Sequence, residues 1–201
     1  MAFAIENVEA FLAPYLTKER KAGFLESLSA FPDVKPLYWT TADPDPLQGD
    51  CWTEIPVINI ETGQRRSIKA VLISNSCDVS GQNARALPAR LNFAPIISVD
   101  RYREALLRAE LDARRVESHL SDVRAQRVSS LLFLPETAGL DGESIAVLED
   151  VHTIPTSMFA SLDKKSRVFS LSDLGFWLFL FKLSYHFCRL QENVDRTPQP
   201  A

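Results

Sequence analysis

The sequence predicts an α+β fold: a small antiparallel β-barrel or curled sheet that carries helices. Three observations predict it. Five short runs rich in branched aliphatic residues are separated by turn chemistry. A stretch from Asp100 to Arg127 contains neither Gly nor Pro and spaces its apolar residues as a helix does. Near the end, Leu174 to Phe181 is apolar nearly throughout, the mark of a helix buried on more than one side. The 201 residues suit one main core, and 46% apolar against 24% charged residues excludes global disorder. With 22 Lys and Arg against 26 Asp and Glu, the net charge of -4 gives no overall pull toward nucleic acid or anionic lipid.

At the start of the chain, residues 4–13 and 18–30 read as short amphipathic helices, with Thr17 capping the second and Phe24, Leu25 and Leu28 on its apolar face. They form a lid or docking appendage. Prolines and aspartates crowd residues 33–46, which neither continue a helix nor supply a full set of strand donors. Residues 1–46 are therefore an appendage with its linker, and 47–196 the main domain. That domain opens with a hairpin. Trp52, Ile55, Val57, Ile58 and Ile60 lead to a turn at Glu61–Gly63, and Ile68 with Ala70–Ile73 return, placing Arg65 and Arg66 at a basic tip. Leu91–Val99, Val128–Leu134 and Ser144–Leu148 supply three more strands.

Inserted between the third and fourth strands, residues 100–127 read as one helical arm. Tyr102, Leu106, Ala109, Ala113, Val116, Leu120 and Val123 alternate spacings of four and three and so share one stripe. At about 1.5 Å per residue the arm would be about 39 Å long. Seven arginines interleaved with six acidic residues describe a solvated, salt-bridged outer face, His119 among them, rather than a nucleic-acid stripe. The apolar stripe needs a partner: the C-terminal helix, a second copy of the chain, or another protein. Leu106, Val116 and Leu120 supply most of its buried area and are its candidate partner-binding residues. The C-terminal helix spans 172–192 with Ser172 as its cap, and Lys182 interrupts its apolar run well short of the roughly 18 residues a membrane span needs.

Three widely spaced cysteines, Cys51, Cys77 and Cys188, with no CxxC pair, fit a reducing cytoplasm and no structural metal. The first thirty residues lack the basic start and apolar run of a signal peptide. His186 and Cys188, two apart on a helix, point to different faces, and no Gly-rich phosphate loop occurs, so no metal or nucleotide cofactor is expected. Cys77 beside Asp78 reads as a small buried thiol followed by a turn aspartate rather than as a nucleophile served by His152 or His186. His152, after Glu149 and Asp150, reads as an ordinary turn residue.

Gln48-Gly49-Asp50-Cys51-Trp52, the basic turn Gly63-Gln64-Arg65-Arg66, the run Ala70–Ser74 with Asn75, and Phe93–Ser98 follow one another as parts do in the MazF/PemK group of toxin-like proteins, which residues 48–99 resemble. The resemblance implies an SH3-like barrel of the kind used by endoribonucleases of toxin–antitoxin pairs. It also implies a chemistry in which an arginine of the basic hairpin stabilises charge developing on phosphorus oxygens. Arg65 or Arg66 matches that arginine, and Lys69 extends the RNA-binding set. Where the family has a threonine two residues after a proline, this chain has Ile97 after Pro95, and the nearest hydroxyl is Ser98. Ser74-Asn75-Ser76-Cys77-Asp78 resembles a strand end of uncharacterised relatives in the same group. Two functions follow. One is a noncatalytic interaction module of a bacterial toxin–antitoxin or phage-defence system, binding a protein partner, a second copy or RNA. The other is an endoribonuclease cutting single-stranded RNA through Arg65, Arg66 and Ser98.

Overall fold

The computed structural model describes Glu26 and residues 37–40, 45–79 and 89–188, and among these it is a mixed α+β fold built on one antiparallel, half-barrel sheet. Eight strands form it: β1 (Tyr38–Trp39), β2 (Cys51–Ile58), β3 (Arg65–Leu72), β4 (Arg90–Ser98), β5 (Leu131–Leu134), β6 (Ser144–Val147), β7 (His152–Pro155) and β8 (Arg167–Leu171). Five helices accompany them: α1 (Ser76–Val79), α2 (Val99–Arg108), α3 (Ala113–Arg124), α4 (Thr156–Ala160) and α5 (Asp173–Cys188). The sheet runs β1-β8-β2-β3-β4-β6-β5, with β7 paired to β4 beside that path.

Strand β4 makes the sheet curl. Its first part pairs with β7 through Arg90–Phe93 and with β3 through Phe93–Pro95, and its last three residues, Ile96–Ser98, pair with β6 instead. The two ends of the path, β1 and β5, share no ladder, yet the Tyr38 hydroxyl donates to the Pro135 carbonyl just past β5 (2.8 Å). Burial holds that phenol well above its usual pKa.

Period-two alternation divides the buried residues between the two sheet faces. Cys51, Val71, Ala94, Leu132, Leu134 and Ala146 pack with Leu178, Phe179 and Phe181 of α5. Their sequence neighbours Trp52, Ala70, Leu72 and Phe93 join Ile154 and Phe159 in a second cluster. On the β5–β6 part of the sheet, Leu131, Phe133 and Ile145 pack with Val116, Leu120 and Val123 of α3.

The expected single arm is two helices. Chain direction changes at Ala109–Asp112, where Glu110 takes φ 60° and the Asp112 carboxylate accepts the N–H groups of Arg114 and Arg115, starting α3 afresh. A straight rod would carry half of its stripe past the edge of the sheet. Broken, both halves reach the same cluster, with Tyr102 and Leu106 from α2 against it and Val116 and Leu120 from α3 inside it. Ala109 and Ala113, expected in the seam, are exposed at the break. The seam's partner is the chain's own sheet, which buries Val116 and Leu120 nearly completely. His119 is half-buried rather than solvated, because its Nε2 meets the Tyr102 hydroxyl across the two helices (3.0 Å).

Three strands lie outside the five expected. β1 falls inside the 33–46 linker and pairs with β8, so the sheet begins before residue 47. β7 and β8 were hidden by their short, partly polar sequences, and His152 opens β7 with its ring 3.2 Å from the Asp150 carboxylate. The expected N-terminal helices lie outside the described residues apart from Glu26, and so does the end of 172–192. The described part of that last helix has the expected cap, the Ser172 hydroxyl accepting the Gly175 N–H (3.2 Å). Gly175 itself is required by closeness: a Cβ there would collide with the Leu37 carbonyl oxygen. No helix among the described residues is long and apolar enough to cross a membrane.

Candidate functional site

The residues singled out on sequence divide between two places. The first is the end of the β2–β3 hairpin. A backbone turn from Asn59 to Gln64, closed by the Gly63 N–H to the Asn59 carbonyl (2.8 Å), carries Gly63 at φ 68°. Arg65 and Arg66 are the first residues of β3, opposite Ile58 and Val57, rather than part of the turn. In a strand they point to opposite faces, so they flank the hairpin instead of forming one fork. Both are exposed, and neither takes part in an ion pair among the described residues. Beside them Ile58 is exposed, and Ile60 at the turn is 96% exposed.

Lys69 and Ser98 are already engaged. The Lys69 ammonium sits 3.0 Å from the Asp141 carboxylate, an exposed pair that offsets its charge. Ser98 is the N-cap of α2, its hydroxyl accepting the Arg101 N–H (3.2 Å). The β3–β4 ladder ends at Ala70–Pro95, and Ser98 lies on the part of β4 paired to β6, opposite Ser144. Ile97 faces the cluster under α2 and α3, where an aliphatic side chain is what the packing needs.

The second place is the Gly49–Asp50 turn, where two sequence motifs meet. Gly49 at φ 90° stands against Leu171, and a Cβ would lie 2.9 Å from its Cδ1. Asp50 is buried, its Oδ2 accepting the Leu47 N–H (2.9 Å) and lying 2.9 Å from Nε of Arg167. That guanidinium also lies over the Trp52 ring, 4.9 Å from its centre, and donates to the Asp45 carbonyl (2.6 Å). A buried pair fastened this way fixes the start of β2 to β8. The Gln48 N–H donates to the Ser76 hydroxyl (2.8 Å) and its Nε2 to the Ile73 carbonyl (2.7 Å), joining this turn to the Ser74–Asp78 segment. Ser74 accepts the Asn92 N–H, and the Asn75 side chain accepts that of Cys77. The hydroxyls and amide of that segment thus hold three chain segments together. Cys77 is exposed, against the expectation of a buried thiol, because it lies on the outer side of the one-turn α1 whose inner residue is Val79. Cys51 is the buried one, and burial raises its thiol far above the usual range.

Sequence reasoning missed Arg167, Ser170 and Lys182 as chemically notable groups. Arg167 carried a weak signal as the one guanidinium in the run Arg167–Leu171. Lys182, fully buried in α5, carried a stronger one as a charge inside an apolar run. Among the described residues no three His, Cys, Asp or Glu side chains gather as metal ligands. Compared with protein-family models and with curated proteins, the chain matches none.

Proposed function

We propose that the chain is a noncatalytic interaction module of the MazF/PemK-like type, an SH3-like barrel working in the cytoplasm within a toxin–antitoxin or phage-defence system. Its docking surface is the end of the β2–β3 hairpin, and its partner is a protein segment that is acidic and apolar together. One observation carries this reading: Ile60, 96% exposed, stands with exposed Ile58 beside two arginines. Isolated exposed aliphatics are ordinary, but two of them flanked by guanidinium groups at the end of a two-stranded projection give a partner both apolar area and charge.

The arginine pair also favours a second reading, binding and cleavage of single-stranded RNA. Against cleavage stands the employment of Ser98 as a helix cap, on the part of β4 paired to β6 and away from the hairpin end that carries Arg65 and Arg66. A photoreactive residue at position 60, with a second at exposed Met158 as control, separates the readings in living cells. The expected result is a discrete adduct from position 60 alone, sensitive to protease and not to ribonuclease, and lost in Arg65→Ala/Arg66→Ala. Ribonuclease-sensitive adducts would move the assignment to RNA, and identical adducts from both positions would remove the hairpin from function.

A further inference from the structure

A cavity of about 600 Å³ lies between the Gly49–Asp50 turn, β1, β8 and the first turn of α5. Its volume is in the range that encloses a small organic molecule. Trp39, Leu171, Leu174 and Phe176 provide apolar walls. Gln48 and Ser76, joined to each other as described above, bring the two motifs of the sequence to one side of it. Among the described residues no Lys, Arg or His lines it, whereas Asp173 places an exposed carboxylate at its rim.

Ser170 is the informative residue. It is 2% exposed, it lines the cavity, and its hydroxyl has no hydrogen-bond partner among the described residues. A buried hydroxyl without a partner costs free energy that a bound polar group would recover. Its pairing residue across the ladder is Trp39, itself largely exposed on two-residue β1. An apolar chamber with a buried hydroxyl inside and a carboxylate at the mouth suits a ligand with an aromatic or aliphatic body and an N–H-bearing cationic end. An anion would meet the Asp173 carboxylate, which is not paired with a basic side chain among the described residues, whereas Asp50 is already paired with Arg167.

We infer that this cavity is a binding site for a small primary amine with an apolar body. The amine is held by Asp173 and the Ser170 hydroxyl, and the body lies against Leu171, Leu174 and Phe176.

The probe is 2-phenylethylamine, with phenylacetate as its anionic counterpart, titrated into the isotope-labelled full chain and followed by backbone amide and methyl NMR. The amine should give saturable shifts confined to residues 170–176, Trp39 and the Gln48–Asp50 turn, with a dissociation constant of about 1 mM. Phenylacetate should bind at least tenfold more weakly. Asp173→Asn and Ser170→Ala, both small changes that leave the backbone its partners, should each weaken the amine about three- to tenfold. Equal binding of amine and acid, amine binding that neither variant weakens, or no saturable shift from either probe up to about 10 mM would each overturn the assignment.

Discussion

Lys182 offers a sharp test of how the core is built. Its side chain is fully buried, and its Nζ donates to the backbone carbonyls of Val128 and Leu131, which lead α3 into β5. Burial lowers its pKa from 10.5 to about 7. The folded chain therefore releases this proton near pH 7, while the unfolded chain keeps it to about 10.5. Between those values the unfolded state binds more protons, so stability rises with pH by about 1.4 kcal/mol per unit. Below pH 7 both states are protonated and the full cost of the buried ammonium is present, about 5 kcal/mol over the whole interval. Lys182→Met keeps the linear shape and removes the charge, but leaves the two carbonyls without this donor at about 1–3 kcal/mol each. At pH 6 these effects largely cancel and the variant should be within about 3 kcal/mol of the parent on either side. By pH 9 it should have lost about 3 kcal/mol relative to its standing at pH 6, because the parent alone gains. Urea unfolding of both proteins from pH 6 to 9, with equal slopes in denaturant, measures that difference directly. A parent-minus-variant stability that stays flat across this range would refute the reasoning.

Three further outcomes follow from the packing. Gln126 closes the outer edge of β5, its Nε2 donating to the Phe133 carbonyl (2.7 Å) and its Oε1 accepting the Phe133 N–H (3.1 Å). Gln126→Asn tolerates the φ of 59° but is one methylene short, so it should lose about 2–4 kcal/mol by chemical unfolding, and an unchanged midpoint would show that the edge needs no plug. Gly49→Ala should cost about 1–3 kcal/mol, from positive φ and the approach to Leu171, measured as a fall in thermal midpoint, and a rise would contradict the turn geometry. Val116→Glu should lower stability by about 4 kcal/mol or unfold the chain, since it places a charge under α3, and a variant as stable as the parent would return the stripe to the role of a partner surface.

The hairpin, the strand β4 and the capped apolar helix α5 were legible because each writes its own local signal: alternation, turn residues, and Ser172 before a run of apolar residues. The stripe of the arm was also legible, but not its break. Periodicity continues smoothly across Ala109–Asp112, and only the cap at Asp112 marks a second start. Strands β1, β7 and β8 are two to five residues long and owe their form to neighbours, which no local pattern states. At the candidate site, the exposure of Arg65 and Arg66 followed from their place beside a turn. Their separation onto two faces depends on the length of that turn, and the engagement of Ser98 and Lys69 depends on contacts with Arg101 and with Asp141, 72 residues away. The meeting of Gln48 with Ser76 is likewise a product of the sheet, not of either motif alone.

The proposed role of the arginine hairpin is to dock a partner without performing chemistry. It is tested most directly by incubating the purified chain with single-stranded RNA of mixed sequence and resolving the products at single-nucleotide resolution, beside Arg65→Ala/Arg66→Ala. No cleavage above that of the double variant is expected at any position. Sequence-selective cuts made by the parent and abolished by the double substitution would contradict it.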